Sequence, residues 1–176
     1  MALTVILFVA GLGAWTLLEY VIHGLLSHQL QTFAGPLHDV HHRDPHRVFT
    51  IRAWLPVAGI TLAGLGFFGL TPVLIFVLGL VSGFVAYEAE HYRIHFRRPR
   101  NRLEARLRAR HLAHHVQAPN AIFGVTTPFW DIAFGTEPAR ARMRELEKAV
   151  EGVAPLAGPS NWKQAFTVRI ARISCR

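Results

Sequence analysis

The stretch AWLPVAGITLAGLGFFGLTPVLIFVLGLVSGFVAYE, residues 53–88, carries no charged side chain before its final glutamate. Uncharged apolar runs of this length read as membrane-spanning helix rather than as the core of a soluble domain. The stretch is too long for one ordinary span. Its middle holds Gly69 and the pair Thr71-Pro72, strong punctuation for a turn. It therefore reads as a hairpin of two helices, roughly 53–69 and 72–90. Each arm of about 17 residues would rise about 25 Å, slightly short of a hydrocarbon core of roughly 30 Å. Tapering of the bilayer, or helices running past the interface, must make up the difference. Small residues (Gly59, Ala63, Gly66 and Gly69; Gly79, Ser82 and Gly83) recur at near-helical spacing and suit close helix contact.

A second uncharged run, Met1 to Leu18, precedes Glu19. It reads as the first span, roughly 2–22, and the absence of a basic leader before it argues against a cleaved signal peptide. The 176-residue chain has the length of one domain, its hydrophobic content is 51%, and its mean hydropathy is +0.26. The net charge of +8 comes mostly from 17 arginines against two lysines. The lone Cys175 excludes an intramolecular disulfide and a thiolate metal cluster.

The span count decides which residues can meet. One span before His23 and two more before His91 place every histidine group on one side of the membrane. Arg43, Arg47 and Arg52 follow the first groups, and Arg93 to Arg110 surround the later ones. The positive-inside rule assigns that side to the cytoplasm. Had residues 53–88 been a single span, the histidines would face opposite compartments. The fold expected is thus all-α: an integral, multi-pass helical bundle of about three spans, with cytosolic-face helices carrying the histidines. The arginines read as a solvated or headgroup-facing surface, and no nucleic-acid partner is expected, because no reading motif accompanies them.

Ten of the 11 histidines fall into four groups: His23 and His28; His38, His41 and His42; His91 and His95; and His111, His114 and His115. Residues three or four apart share a helical face, so His91 with His95, and His111 with His114 or His115, can converge on one point. Leu103 and Leu107 fall on that same face of the last group's helix. Adjacent histidines diverge by about 100°. His41 and His42, and likewise His114 and His115, should therefore serve two different metals. His23 and His28, five apart, need a helix end, a local distortion or separate metals. Ten imidazoles are too many for one ion and suit two, with four or five nitrogens each; imidazole favours Zn, Cu, Fe and Ni. His46 lies outside the pattern and reads as a surface residue.

Carboxylates stand where outer hydrogen bonds to metal-bound histidines would need them: Glu19 four before His23, Asp39 beside His38, and Glu88 three before His91. Several other metal chemistries lack their motifs. No H-E-x-x-H occurs, and a carboxylate-bridged di-iron bundle needs about four Glu with E-x-x-H motifs, where only Glu88 and His91 fit.

The four histidine groups, with the segment NAIFGVTTPFWDIAFGT (Asn120–Thr136), resemble the fatty acid hydroxylase and sterol desaturase superfamily of membrane di-iron oxygenases. The resemblance covers roughly residues 15–137. It implies a membrane di-iron hydroxylase domain over 1–137, followed by an amphipathic helix and tail over 138–176. It implies two iron ions, with zinc able to stand in for them in purified protein, and O2 as co-substrate. The ligands it implies are His23, His28, His38, His41, His42, His91, His95, His111, His114 and His115. Trp130 and Asp131 match the closing stretch as supports of the site. The expected reaction is O2-dependent hydroxylation of a membrane lipid, a fatty acyl chain before a carotenoid or sterol, with desaturation as the variant outcome. The chain differs from larger members in having one span before the first histidines and no attached cytochrome b5-like domain, so a separate ferredoxin or cytochrome b5-like donor is expected. A histidine-rich metal transporter is the alternative of a different class. It is disfavoured because residues 53–87 hold no His, Asp, Glu or Cys.

Overall fold

The structure, a computed structural model, describes residues 1–30, 32–47, 54–150 and 153–155. Arg52, Cys175 and most of the tail lie outside the described residues. Helix α1 spans Ala2–Tyr20 and runs without a break into a π-helical segment, Val21–Gln29. Helix α2 follows at Ala34–Arg43, then α3 at Trp54–Phe68 and α4 at Leu70–Phe96. Helix α5 covers Arg102–Val116, α6 Phe129–Ala133 and α7 Arg140–Val150. All regular structure among the described residues is helical.

Two helices are long and apolar enough to cross a membrane, Ala2–Gln29 and Leu70–Phe96. At about 1.5 Å per residue each reaches roughly 40 Å, well beyond the hydrocarbon thickness of about 30 Å. Helix α3 has 15 residues and rises only about 22 Å. The hairpin is tighter than its sequence suggests. Gly69 alone makes the turn at φ +76°, a conformation cheap only for glycine. Thr71 and Pro72 belong to the first turn of α4, where the missing proline N–H has no partner to lose. At its other end α4 runs past residue 90 to Phe96 and carries His91 and His95 beyond the uncharged run.

The small residues also act elsewhere than within the hairpin. Gly79 of α4 lies against the Phe8 carbonyl of α1, and Gly11 of α1 against the Phe76 carbonyl of α4. A Cβ on Gly83 would stand 2.6 Å from Trp15 Cβ. These glycines let α1 and α4 approach backbone to backbone, as small residues do between helices in lipid. By contrast, Gly59 and Gly66 of α3 have nothing within contact range. The buried cluster Trp15, Val57, Leu80 and Phe84 closes this interface, with the Trp15 and Phe84 rings edge-on at 4.9 Å. Leu3, Ile6, Leu74 and Leu78 on the long helices, and Leu62 and Phe67 on α3, point outward and give these helices apolar exteriors.

Helix α5 starts at Asn101, whose side chain accepts from Glu104 N at 2.9 Å. Its Leu107 is buried, whereas Leu103, in the first turn, is 65% exposed. Amphipathic α7 packs Met143 and Leu146 against Ala113 of α5 and Ile122 of the loop beyond it.

Candidate metal centre

The ten grouped histidines converge into two sets of five. His23, His28, His38, His42 and His114 form one; His41, His91, His95, His111 and His115 form the other. Within each set the candidate ligand nitrogens all lie within 4.8 Å of one another. The adjacent pairs His41/His42 and His114/His115 each straddle the two sets. His111 joins His115, four residues on, rather than His114. Each set therefore takes four histidines from one half of the chain and one from the other.

The π segment explains how His23 and His28 meet. Its i→i+5 bonding brings residues five apart to one side, which an α-helix would not do. Ser27 Oγ also donates to the carbonyl of Ile22, five residues back, at 2.7 Å. Helix α2 supplies His38 and His42 at i, i+4 to the same set and turns His41 toward the other.

An imidazole nitrogen has one proton or one lone pair to offer. His111 Nε2 nevertheless lies 3.0 Å from His91 Nε2, 3.0 Å from His95 Nε2 and 2.9 Å from His115 Nε2. No placement of protons turns these into three hydrogen bonds. In the first set the Nε2 atoms of His23 and His114 are 3.0 Å apart, those of His114 and His42 3.2 Å, and those of His42 and His38 2.7 Å. Two nitrogens about 2.1 Å from one ion at a right angle lie about 3.0 Å apart, against about 3.4 Å at the tetrahedral angle. The spacing suits nitrogens that would share one ion, and each set could hold one. Burial pushes His38, His41, His111, His114 and His115 below the usual imidazole range, which keeps them neutral with a lone pair to give.

The segment after α5 sets two of the rings. His23 Nδ1 donates to the Phe123 carbonyl at 2.6 Å, and His114 Nδ1 to the Ala121 carbonyl at 2.8 Å. Between those carbonyls Ile122 holds φ +62°, a strained value for a β-branched residue. Two buried carboxylates secure the segment. Glu19 accepts from Val125 N at 2.6 Å, Thr126 N at 3.0 Å and Thr126 Oγ1 at 2.6 Å. Asp131 accepts from Phe123 N at 2.8 Å, Gly124 N at 3.0 Å and Thr136 Oγ1 at 2.8 Å. It also pairs with Arg110 Nη2 at 3.0 Å, both side chains being fully buried. Trp130 Nε1 donates to Thr16 Oγ1 at 2.9 Å, tying α6 to α1.

Three carboxylate expectations change on this geometry. Glu19 is at the site but grips Val125 and Thr126, not His23. Asp39, one residue round the helix from His38, is exposed and pairs at 3.8 Å with Arg43. Glu88 is buried, yet its Oε2 meets no partner among the described residues, and neither does His91 Nδ1. Asp131 accepts from the segment whose carbonyls meet His23 and His114, at Phe123 N and Gly124 N. Arg110 departs from the surface reading of the arginines: it is 0% exposed and clamps Asp131 and, at 2.9 Å, Glu137. His46 stands outside both sets beside Asp44.

A cavity of about 130 Å³ touches both sets. His23 and His38 of the first and His41 and His91 of the second line it, with Trp15, Leu26, Leu37 and Tyr87 as its walls. A larger groove of about 870 Å³ between α5 and α7, walled by Arg98, Arg106, Arg108 and Arg144, includes no histidine.

Two membrane-length apolar helices and ten histidines converging as two fives define a class, histidine-rich helical proteins whose clusters could each hold a metal ion. The fatty acid hydroxylase family model matches residues 8–136, and the chain belongs to that family. It is 28% identical over 150 residues to a dihydroceramide fatty acyl 2-hydroxylase of Arabidopsis thaliana, covering 78% of this chain and 62% of the relative. It is 31% identical over 157 residues to the fatty acid 2-hydroxylase of Mus musculus, covering 78% and 42%. The chain thus spans less than two thirds of the length of these curated relatives. The solved hydroxylase domain of scs7p shares the fold, with a TM-score of 0.66 at 24% identity over 88% of this chain and 59% of that one.

Proposed function

We propose that the protein is an O2-dependent di-iron hydroxylase acting on the fatty acyl chain of a membrane lipid. The observation that carries the proposal is the pair of five-nitrogen histidine sets sharing one apolar-walled cavity, in a chain of the fatty acid hydroxylase family. All ten histidines act as ligands, His23, His28, His38, His42 and His114 to one iron and His41, His91, His95, His111 and His115 to the other. Bound there, the iron pair supplies the activation of O2 that no side chain of this protein can supply. Trp15, Leu26 and Leu37 exclude water and aim the acyl chain at the space between the sets. Following the names of the relatives, the carbon hydroxylated is the acyl 2-position. One C–H bond becomes C–OH, the second oxygen atom leaves as water, and two electrons and two protons are consumed. A reduced one-electron carrier, ferredoxin or cytochrome b5-like, delivers the electrons.

The same reading places α3 as a third, shorter span and the histidine end of α4 on the cytoplasmic side. Residues 1–137 form the hydroxylase domain, and 138–176 the appended helix and tail.

Protein purified from iron-replete cells is expected to hold two irons per chain by elemental analysis. His115→Ala should lose one of them and turnover with it, while His46→Ala should keep both. One iron or none in an active wild-type chain would overturn the proposal.

A further inference from the structure

We infer that the two metal positions are unequal: the set containing His23 and His114 holds its ion more tightly than the set containing His91, His95 and His111, and Asp131 is the positioning residue behind the difference. The inference rests on the two-metal reading above. An imidazole that gives its Nε2 lone pair to a metal carries its proton on Nδ1. His23 and His114 hand that proton to the Phe123 and Ala121 carbonyls. Such a bond fixes the tautomer and the ring angle and makes the ligand nitrogen more basic. Among the described residues, the buried Nδ1 atoms of His91, His95 and His111 meet no acceptor. At these three rings the proton required by metal binding is left without an acceptor among the described residues, and each of those three bonds is the weaker for it.

The two carbonyls are held from a distance. Among the described residues no hydrogen bond or ion pair joins Asp131 to a histidine of either set, yet it fixes Phe123 N and Gly124 N and is itself fixed by Arg110. A side chain at Gly124 would run into the Thr127 carbonyl, so the backbone there has one path. With Ile122 at φ +62° between the two acceptors, release of Asp131 lets the segment relax and swings both carbonyls off their histidines.

The test uses the full chain in detergent, loaded with zinc and dialysed against graded EDTA, with zinc per chain read by mass spectrometry. Wild type should lose its two ions in two steps, separated by about tenfold or more in free zinc. His38→Ala should weaken the tight step alone, and His95→Ala the weak step alone. Asp131→Asn should move the tight step toward the weak one by about 10- to 100-fold and leave the weak step in place. Thr136→Val, which removes one hydrogen bond to Asp131, should do the same to a smaller extent and serves if the Asn variant does not fold. Loss of both ions in one step, a tight step untouched by His38→Ala, or equal shifts of both steps on releasing Asp131 would overturn the inference while leaving two metals intact. Fewer than two zinc ions per wild-type chain before dialysis would overturn the two-metal reading and this inference with it.

Discussion

His41 and His42 are neighbours along the chain, yet they belong to different sets, and so do His114 and His115. The divergence follows from helical geometry and could be expected from spacing alone. Which neighbour goes where could not, because it depends on how α2 and α5 cross, and the result exchanges His41 and His114 between the two halves of the chain. The roles of Glu19 and Asp131 were equally hidden: their partners lie in a segment remote from Glu19 and irregular in backbone. Arg110 gave no signal either, as one arginine on an arginine-rich helix whose acid partner comes 21 residues later. At this scale the buried imidazoles make a pH prediction. An unfolded histidine takes up its proton near pH 6.5, whereas burial holds His41, His111, His114 and His115 below that. Below about pH 6.5 the unfolded chain therefore binds more protons, and stability falls with pH by up to about 1.4 kcal/mol per unit for each histidine. Metal-free protein should show a melting temperature that drops steadily between about pH 7 and pH 5. A flat profile would mean the rings are not buried as described.

Among the elements, the long apolar runs announced α1, α3 and α4 through composition, and Gly69 announced the turn. The π segment was open only as one of several distortions, since nothing in VIHGLLSHQ requires i→i+5 bonding until the histidines have a common target. Glycine spacing likewise marked close contact without saying which helix supplies the other surface. Substitutions separate these cases. Gly79→Val drives a side chain into the fixed backbone carbonyl of Phe8 and should lower the melting temperature sharply, by an overpacking cost of about 1–3 kcal/mol or more. Gly59→Val, with open space around it, should change stability by no more than about 0.5 kcal/mol. Gly24→Ala places its methyl 2.7 Å from the Phe123 ring and should disturb the Phe123 carbonyl that His23 uses. Equal tolerance at Gly59 and Gly79 in detergent melts would contradict the α1–α4 packing.

Across the whole molecule, two roughly 40 Å helices carry an apolar exterior and end in a histidine-rich head; on the function proposed above, a lipid would reach the site sideways from the bilayer. Helix α4 belongs to both parts: its glycines dock it on α1, and its last turns present His91 and His95. That continuity ties the position of one histidine set to the packing of α4 on α1. On the function proposed above, the cavity between Trp15, Leu37 and the two sets is where acyl chain and metal would meet. The most direct measurement supplies iron-loaded protein in lipid vesicles with a chemical or protein reductant under isotopically heavy O2, followed by mass spectrometry of the lipids. Incorporation of one heavy oxygen atom into an acyl chain, absent without reductant and absent in His115→Ala, is the predicted result. Lipids that remain unlabelled while the protein retains two irons and consumes the reductant would contradict the hydroxylase account.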